Sequence, residues 1–309
     1  KSIFDKQKQE EIIKSETNQD KPASHLNKTI KSLVDEIENP SGKGLIMTMG
    51  KGGVGKTIVA ASIATLLAKR GHKVLLTTTD PAAHVSDFIN QLDQIPENLT
   101  VERIDPKAET KIYTDKILKQ KGQDLDPEAR NLLIEDLKSP CSEEVAVFTA
   151  FSKAIHKAKR QYVVMDTAPT GHTLLLLDTT GSYHKEVMKT TNLDPDRITT
   201  PYMSLQDGDF AKIILVALPE TTPMREAEDL QNDLKRAGIK PHSWVINQSL
   251  SILENLSDPI LVKRAQAEIE IINQIKTKIA QDTFLLPFIA DQQLLPAIIK
   301  LYDDKYQVV

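Results

Sequence analysis

Cysteine is almost missing: Cys141 is the one cysteine in 309 residues. A lone thiol excludes an internal disulfide and cannot build a zinc cluster within the chain. Long apolar runs are missing as well. No segment reads as a membrane span and no signal peptide opens the sequence, so a cytoplasmic protein is the expectation. An excess of positive charge is absent too. The net charge is −4 and the isoelectric point near 6.0, which argues against a broad nucleic-acid surface, and no nucleic-acid partner is expected. The first residue is Lys1 rather than Met, which leaves open both a piece of a longer protein and a complete chain that pairs with a copy of itself.

What is present centres on Gly50-Lys51-Gly52-Gly53-Val54-Gly55-Lys56-Thr57, which fits G-x-x-x-x-G-K-[ST] at every required position. Its context fits as well. Leu45 to Met49 reads as a buried strand and Ile58 to Lys69 as a helix. Glycines let the backbone turn tightly enough to aim successive N–H groups at phosphate oxygens, and the helix N-terminus adds partial positive charge. In such a loop Lys56 would neutralise the β- and γ-phosphates of ATP, and the Thr57 hydroxyl would coordinate Mg²⁺.

Along the chain, residues 1–43 read as a polar N-terminal segment, with a short amphipathic helix over Ile30 to Ile37. Residues 44–309 read as one domain of strand–helix alternation. Further strands are expected at Lys73–Thr79, Thr100–Ile104, Gln161–Asp166, Lys212–Leu218, Ser243–Asn247 and Thr283–Leu286. Residues 107–160 offer no good strand and read as an inserted helical subdomain, broken near Ser139-Pro140-Cys141. The fold class is therefore α/β: a mostly parallel twisted sheet flanked by helices. Two carboxylates fall just past strand ends, where such sheets bind ligands. They are Asp80 and Asp166, the second in the place of a Walker B aspartate serving Mg²⁺.

The second lysine of the loop, Lys51, makes it resemble the deviant P-loop NTPase superfamily of MinD, the nitrogenase iron protein and the arsenite ATPases. In that superfamily the early lysine reaches across a two-fold interface to the facing nucleotide. Asp80-Pro81-Ala82-Ala83-His84 resembles a switch I, and Asp166-Thr167-Ala168-Pro169-Thr170-Gly171-His172-Thr173 resembles the signature shared by arsenite-translocating ATPases and the targeting factors for tail-anchored proteins. The run through Asp178, with Ser139-Pro140-Cys141-Ser142-Glu143-Glu144 upstream, is closer to the arsenite-translocating (arsenical pump-driving) ATPases, and to the C-terminal half of that tandem enzyme.

The resemblance implies an ATPase that drives arsenite or antimonite efflux and is activated by metalloid between two nucleotide-binding halves. It implies ATP and Mg²⁺ as cofactors, with Lys51, Lys56, Asp80 and Asp166 catalytic and Thr57, Asp80 and Asp166 at the metal. Asn247 would read the adenine edge, and Pro219-Glu220-Thr221 would line the base or ribose pocket. Cys141, His172 and Ser139 would belong to the metalloid site; thiolate suits a soft trivalent metalloid, and one thiolate leaves the remainder to a second half. The implied partners are that second half or a homodimer mate, a membrane efflux permease and an arsenic metallochaperone.

Two alternatives stand beside this. A tail-anchored-protein targeting factor would need a methionine-rich groove, and the block from Lys107 to Lys159 contains no methionine. A MinD- or ParA-like positioning ATPase would need a basic surface or a C-terminal membrane helix, and Leu294 to Val309 is short for one and carries no net positive charge.

Overall fold

The computed structural model describes residues 28–80, 84–121, 125–138, 140–167, 200–253, 256–280 and 282–302. Its frame is an eight-stranded, wholly parallel sheet in the order β1-β8-β7-β6-β2-β5-β3-β4. The strands are β1 Lys28–Thr29, β2 Gly44–Met49, β3 Val74–Thr78, β4 Leu99–Arg103, β5 Tyr162–Asp166, β6 Ala211–Ala217, β7 Ser243–Ser249 and β8 Thr283–Pro287. Every residue of β2, β3 and β5 is buried, which explains why these strands read as continuous apolar runs rather than alternating ones.

Side-chain alternation divides the core between the two faces. Ile46, Leu76, Val164, Ile214 and Phe284 pack under α1 (Ile30–Ile37), α2 (Lys56–Lys69), α3 (Val85–Ile89) and α10 (Leu294–Tyr302). Their sequence neighbours Leu45, Leu75, Val163, Ile213 and Leu285 face the other way. They lie under α6 (Pro140–Lys157), α7 (Pro201–Gln206), α8 (Thr221–Arg236) and α9 (Pro259–Gln274), which a π-helical turn continues over Ile275–Ile279. Helix α2 buries twelve of its fourteen residues, a central helix apolar on all sides.

The inserted block is helical, as its sequence suggests. Helices α4 (Pro106–Lys121) and α5 (Pro127–Asp136) precede α6, which starts with Pro140 at a position where a missing N–H costs nothing. Helix α5 buries none of its residues. The sequence Pro127 to Leu137 carries an apolar stripe at Leu132, Leu133 and Leu137, yet only Leu137 is buried, and Leu132 is 61% exposed.

The fold begins ahead of residue 44. Lys28 pairs with Phe284 and Thr29 with Leu285, and Ile30, Leu33, Val34 and Ile37 are buried against the sheet. Two residues of strand carry too little alternation to be seen in sequence. Among the described residues, no helix is long and apolar enough to cross a membrane.

Strand β2 lies between β5 and β6. The chain leaves it toward β3 on one side and later crosses to β6 on the other. The crevice beyond the carboxyl ends of β2, β5 and β6 is therefore the topological switch point, where open parallel sheets place ligands.

Candidate functional site

The loop from Gly50 to Gly55 occupies that crevice. Three of its glycines have backbone angles that L side chains rarely adopt: Gly50 at φ 152°, Gly53 at 82° and Gly55 at 91°. At two of them packing adds a second constraint. A Cβ on Gly50 would run into the Val216 carbonyl oxygen, and one on Gly55 into the Asn247 side-chain amide. Gly55 also stands as the N-cap of α2 and offers no side-chain cap, so the amides of the first turn remain for an external acceptor.

Helix α2 then delivers Lys56 and Thr57. Lys56 is 6% exposed, and its Nζ donates to the Lys51 carbonyl oxygen at 2.9 Å. Burial lowers its pKa, while the charges of Asp166 and Asp80 draw it back up. The Thr57 hydroxyl donates to Asp166 Oδ2 at 2.7 Å, and Thr48 on β2 reaches Oδ1 at 3.5 Å. Asp166 ends β5 and is fully buried. Burial pushes its carboxyl up to about 6, against the Thr57 hydrogen bond and the Lys56 charge, and Asp80 adds to the rise. Thr167 fixes the strand end, donating its hydroxyl to the Thr48 carbonyl at 2.8 Å. Asp80 follows β3, with its N–H on the Thr78 hydroxyl at 3.0 Å.

A desolvated carboxylate with a hydroxyl beside it is a donor set for a hard cation such as Mg²⁺. Thr57 and Asp166 therefore fit the metal that the sequence implies, and Asp80 is near enough for its charge to act on both Lys56 and Asp166.

Asn247, 3% exposed on β7, donates Nδ2 to the Val54 carbonyl at 3.0 Å and accepts from the Gln248 N–H at 2.9 Å. One side chain thus ties the phosphate loop to the end of β7. A recess of about 90 Å³ opens beside it, lined by Ile58, Gln248, Leu286, Pro287 and Phe288 among others. Pro219 is buried at the end of β6, while Glu220 and Thr221 are exposed at the start of α8, Glu220 pairing with Arg264 at 3.0 Å. Lys51 is exposed at the loop tip, its Nζ 2.7 Å from Glu226 Oε1 on α8.

The structure brings together Lys51, Lys56, Thr57, Asp80, Asp166 and Asn247 from β3, β5, β7 and the phosphate loop. Cys141 sits in the first turn of α6, in the inserted helical block. Ser139 and His172 lie outside the described residues, as do Pro81–Ala83 and the stretch from Ala168 to Thr173. Sequence reading missed Thr48, Glu226 and the Pro287-Phe288 rim. The rim had a signal, since it follows the strand expected over Thr283 to Leu286 and parallel sheets bind ligands past strand ends; Glu226 had none, being one acidic residue on a polar helix.

Comparison with known proteins agrees with this architecture. The chain matches the family model described as anion-transporting ATPase over residues 43–203 and 178–289. It is 53% identical over 266 residues to an arsenical pump-driving ATPase of Acidiphilium multivorum, covering 86% of this chain and 45% of that one. It is 50% identical over 278 residues to an arsenical pump-driving ATPase of Escherichia coli, covering 90% and 46%. An ATPase ASNA1 homolog of Paramecium tetraurelia is 30% identical over 261 residues, covering 71% and 79%. The chain thus spans about half the length of these two arsenical pump relatives. By sequence, fold and phosphate loop together, it belongs to the anion-transporting ATPase family.

Proposed function

We propose that this chain is one ATP-hydrolysing half of an arsenite or antimonite efflux ATPase. The observation that carries the reading is the Thr57–Asp166 hydrogen bond of 2.7 Å beside the buried Lys56, next to a loop whose glycines take backbone angles that L side chains rarely adopt. Amides and ammonium together match a triphosphate, and the buried carboxylate with its hydroxyl matches Mg²⁺. The bound ion would supply charge neutralisation between the β- and γ-phosphates.

The remaining roles are those that the family resemblance implies. Lys56 holds phosphate oxygens, and Asp80, on the segment after β3, orients the attacking water. Asn247 reads the base, with Pro219, Glu220, Thr221 and the Pro287-Phe288 recess along its rim. Lys51, exposed at the loop tip, acts on the nucleotide of a second half. Cys141, with Ser139 and His172, contributes to a metalloid site completed by that half. A membrane permease takes the metalloid onward, and an arsenic metallochaperone delivers it. The relatives named arsenical pump-driving ATPases, at half or more identity, favour this reading over a targeting or positioning ATPase.

Equilibrium ATP titration and steady-state turnover on two variants test the core of the proposal. Lys56→Ala removes a ground-state phosphate contact and should raise the dissociation constant at least tenfold. Asp80→Asn should bind ATP nearly normally and lose turnover, because its role begins with the attacking water. Normal ATP affinity in Lys56→Ala would sink the assignment.

A further inference from the structure

The lysine at the tip of the phosphate loop already has a partner within its own chain. Glu226 lies in the second turn of α8, where the helix passes beside the loop. Its Oε1 takes the Lys51 ammonium at 2.7 Å, and its Oε2 is shut off from solvent with no hydrogen-bond partner among the described residues. The pair is lopsided. Lys51 is 49% exposed and can swing into water, whereas the carboxylate is 38% exposed with one oxygen sealed. When Lys51 departs, Glu226 loses the cation that answers its charge, and the sealed oxygen gains no water in exchange.

We propose that Glu226 is a positioning residue that parks Lys51 against its own α8 and holds it back from the nucleotide of a second half. The inference rests on the cross-site role proposed for Lys51 and adds a regulation of it. Reaching a facing phosphate means leaving Glu226, so the two anions compete for one ammonium. The triphosphate, with more charge, wins when it is present and close. A diphosphate, or a half held too far away, loses, and the lysine returns to the carboxylate. The contact therefore sets how much paired state forms at a given ATP and protein concentration.

Glu226→Gln keeps the side chain's size and removes its charge. ATP-dependent pairing, measured by sedimentation of the whole chain with Mg²⁺ and ATP, should tighten by about three- to five-fold, the scale of one exposed ion pair. The gap between variant and parent should narrow as salt screens the contact in the parent. In a Lys51→Ala background the same substitution should change nothing, since no lysine remains to be released.

Two failures are distinguishable. If Lys51→Ala pairs and turns over like the parent, the cross-site role falls and the parking role falls with it. If Lys51→Ala loses turnover while Glu226→Gln matches the parent or pairs more weakly, the cross-site role stands and parking is wrong. A Glu226→Gln chain that behaves as the parent, whether both pair or neither does, also overturns it.

Discussion

Replacing Asp166 by asparagine should stabilise the ligand-free protein while disabling its metal site. The folded-state pKa of Asp166, about 6, stands above the ordinary 3.8. Between those values the folded chain keeps a proton that the unfolded chain has released, so this group's contribution to stability falls as pH rises through the window. Two units at about 1.4 kcal/mol each give roughly 3 kcal/mol against the ionised, ligand-free form at neutral pH. The side chain is fully buried, so solvent screening does not reduce that figure much. Asparagine retains an acceptor for the Thr57 hydroxyl and carries no charge, though it leaves Lys56 without its nearest counter-ion. A net gain of about 1–3 kcal/mol is therefore expected, allowing for local relaxation. Thermal unfolding of parent and variant should diverge from about pH 4 upward and level off above about pH 7. Saturating Mg²⁺ and ATP should reverse the order, because ligand at about a thousandfold over its dissociation constant adds about 4.1 kcal/mol to whichever protein still binds it. A variant that melts below the parent at about pH 8 without ligand would refute the account of Asp166 as a carboxylate awaiting its cation.

The phosphate-loop glycines should differ in kind. Gly50→Ala forces a Cβ against the Val216 carbonyl, whereas Gly53→Ala meets open space and bears only backbone strain of about 1–2 kcal/mol; urea unfolding midpoints should separate them, with Gly50→Ala far the lower. Glu38 offers a pH test elsewhere: burial raises its pKa, but hydrogen bonds from His72 and Arg70 outweigh that and hold it below the usual value. A depressed pKa stabilises the fold above the unfolded value and ceases to do so as pH falls through the folded one, so Glu38→Gln should lose stability at neutral pH and rejoin the parent in acid, as melting curves across pH will show. In a preparation that pairs, Cys141→Ala should lose most antimonite stimulation and keep basal ATP hydrolysis; full stimulation at the same antimonite concentration would return Cys141 to a packing role.

Much of the sheet was legible because its strands are buried on both faces and bounded by glycine, proline or aspartate. Val74–Thr78 and Tyr162–Asp166 fell within one residue of expectation for that reason. Helix α2 was legible from the loop it follows. What escaped notice was set by tertiary partners. Helix α3 has five residues and α7 six, too short for periodicity to register. Strand β1 is a strand only because β8 lies beside it. Leu132 shows the opposite error: an apolar stripe on α5 suggests a covered face, yet that leucine stands open to solvent. The candidate site was read through a motif whose spacing encodes its chemistry. The Lys51–Glu226 contact joins residues 175 apart, and no local pattern could have announced it.

The pairing of β1 with β8 has a consequence for how the protein is made. Lys28 bonds Asp282 at a separation of 254 residues and lies beside Phe284 in the sheet, so this edge cannot close until β8 has also left the ribosome. At roughly 5–20 residues per second, that edge stays open for tens of seconds of synthesis. Through that interval Ile30, Leu33, Val34 and Ile37 lack part of the surface they will finally cover. Until β8 arrives the nascent chain is a customer for chaperones, and a transcript ending before Thr283 would leave it one permanently.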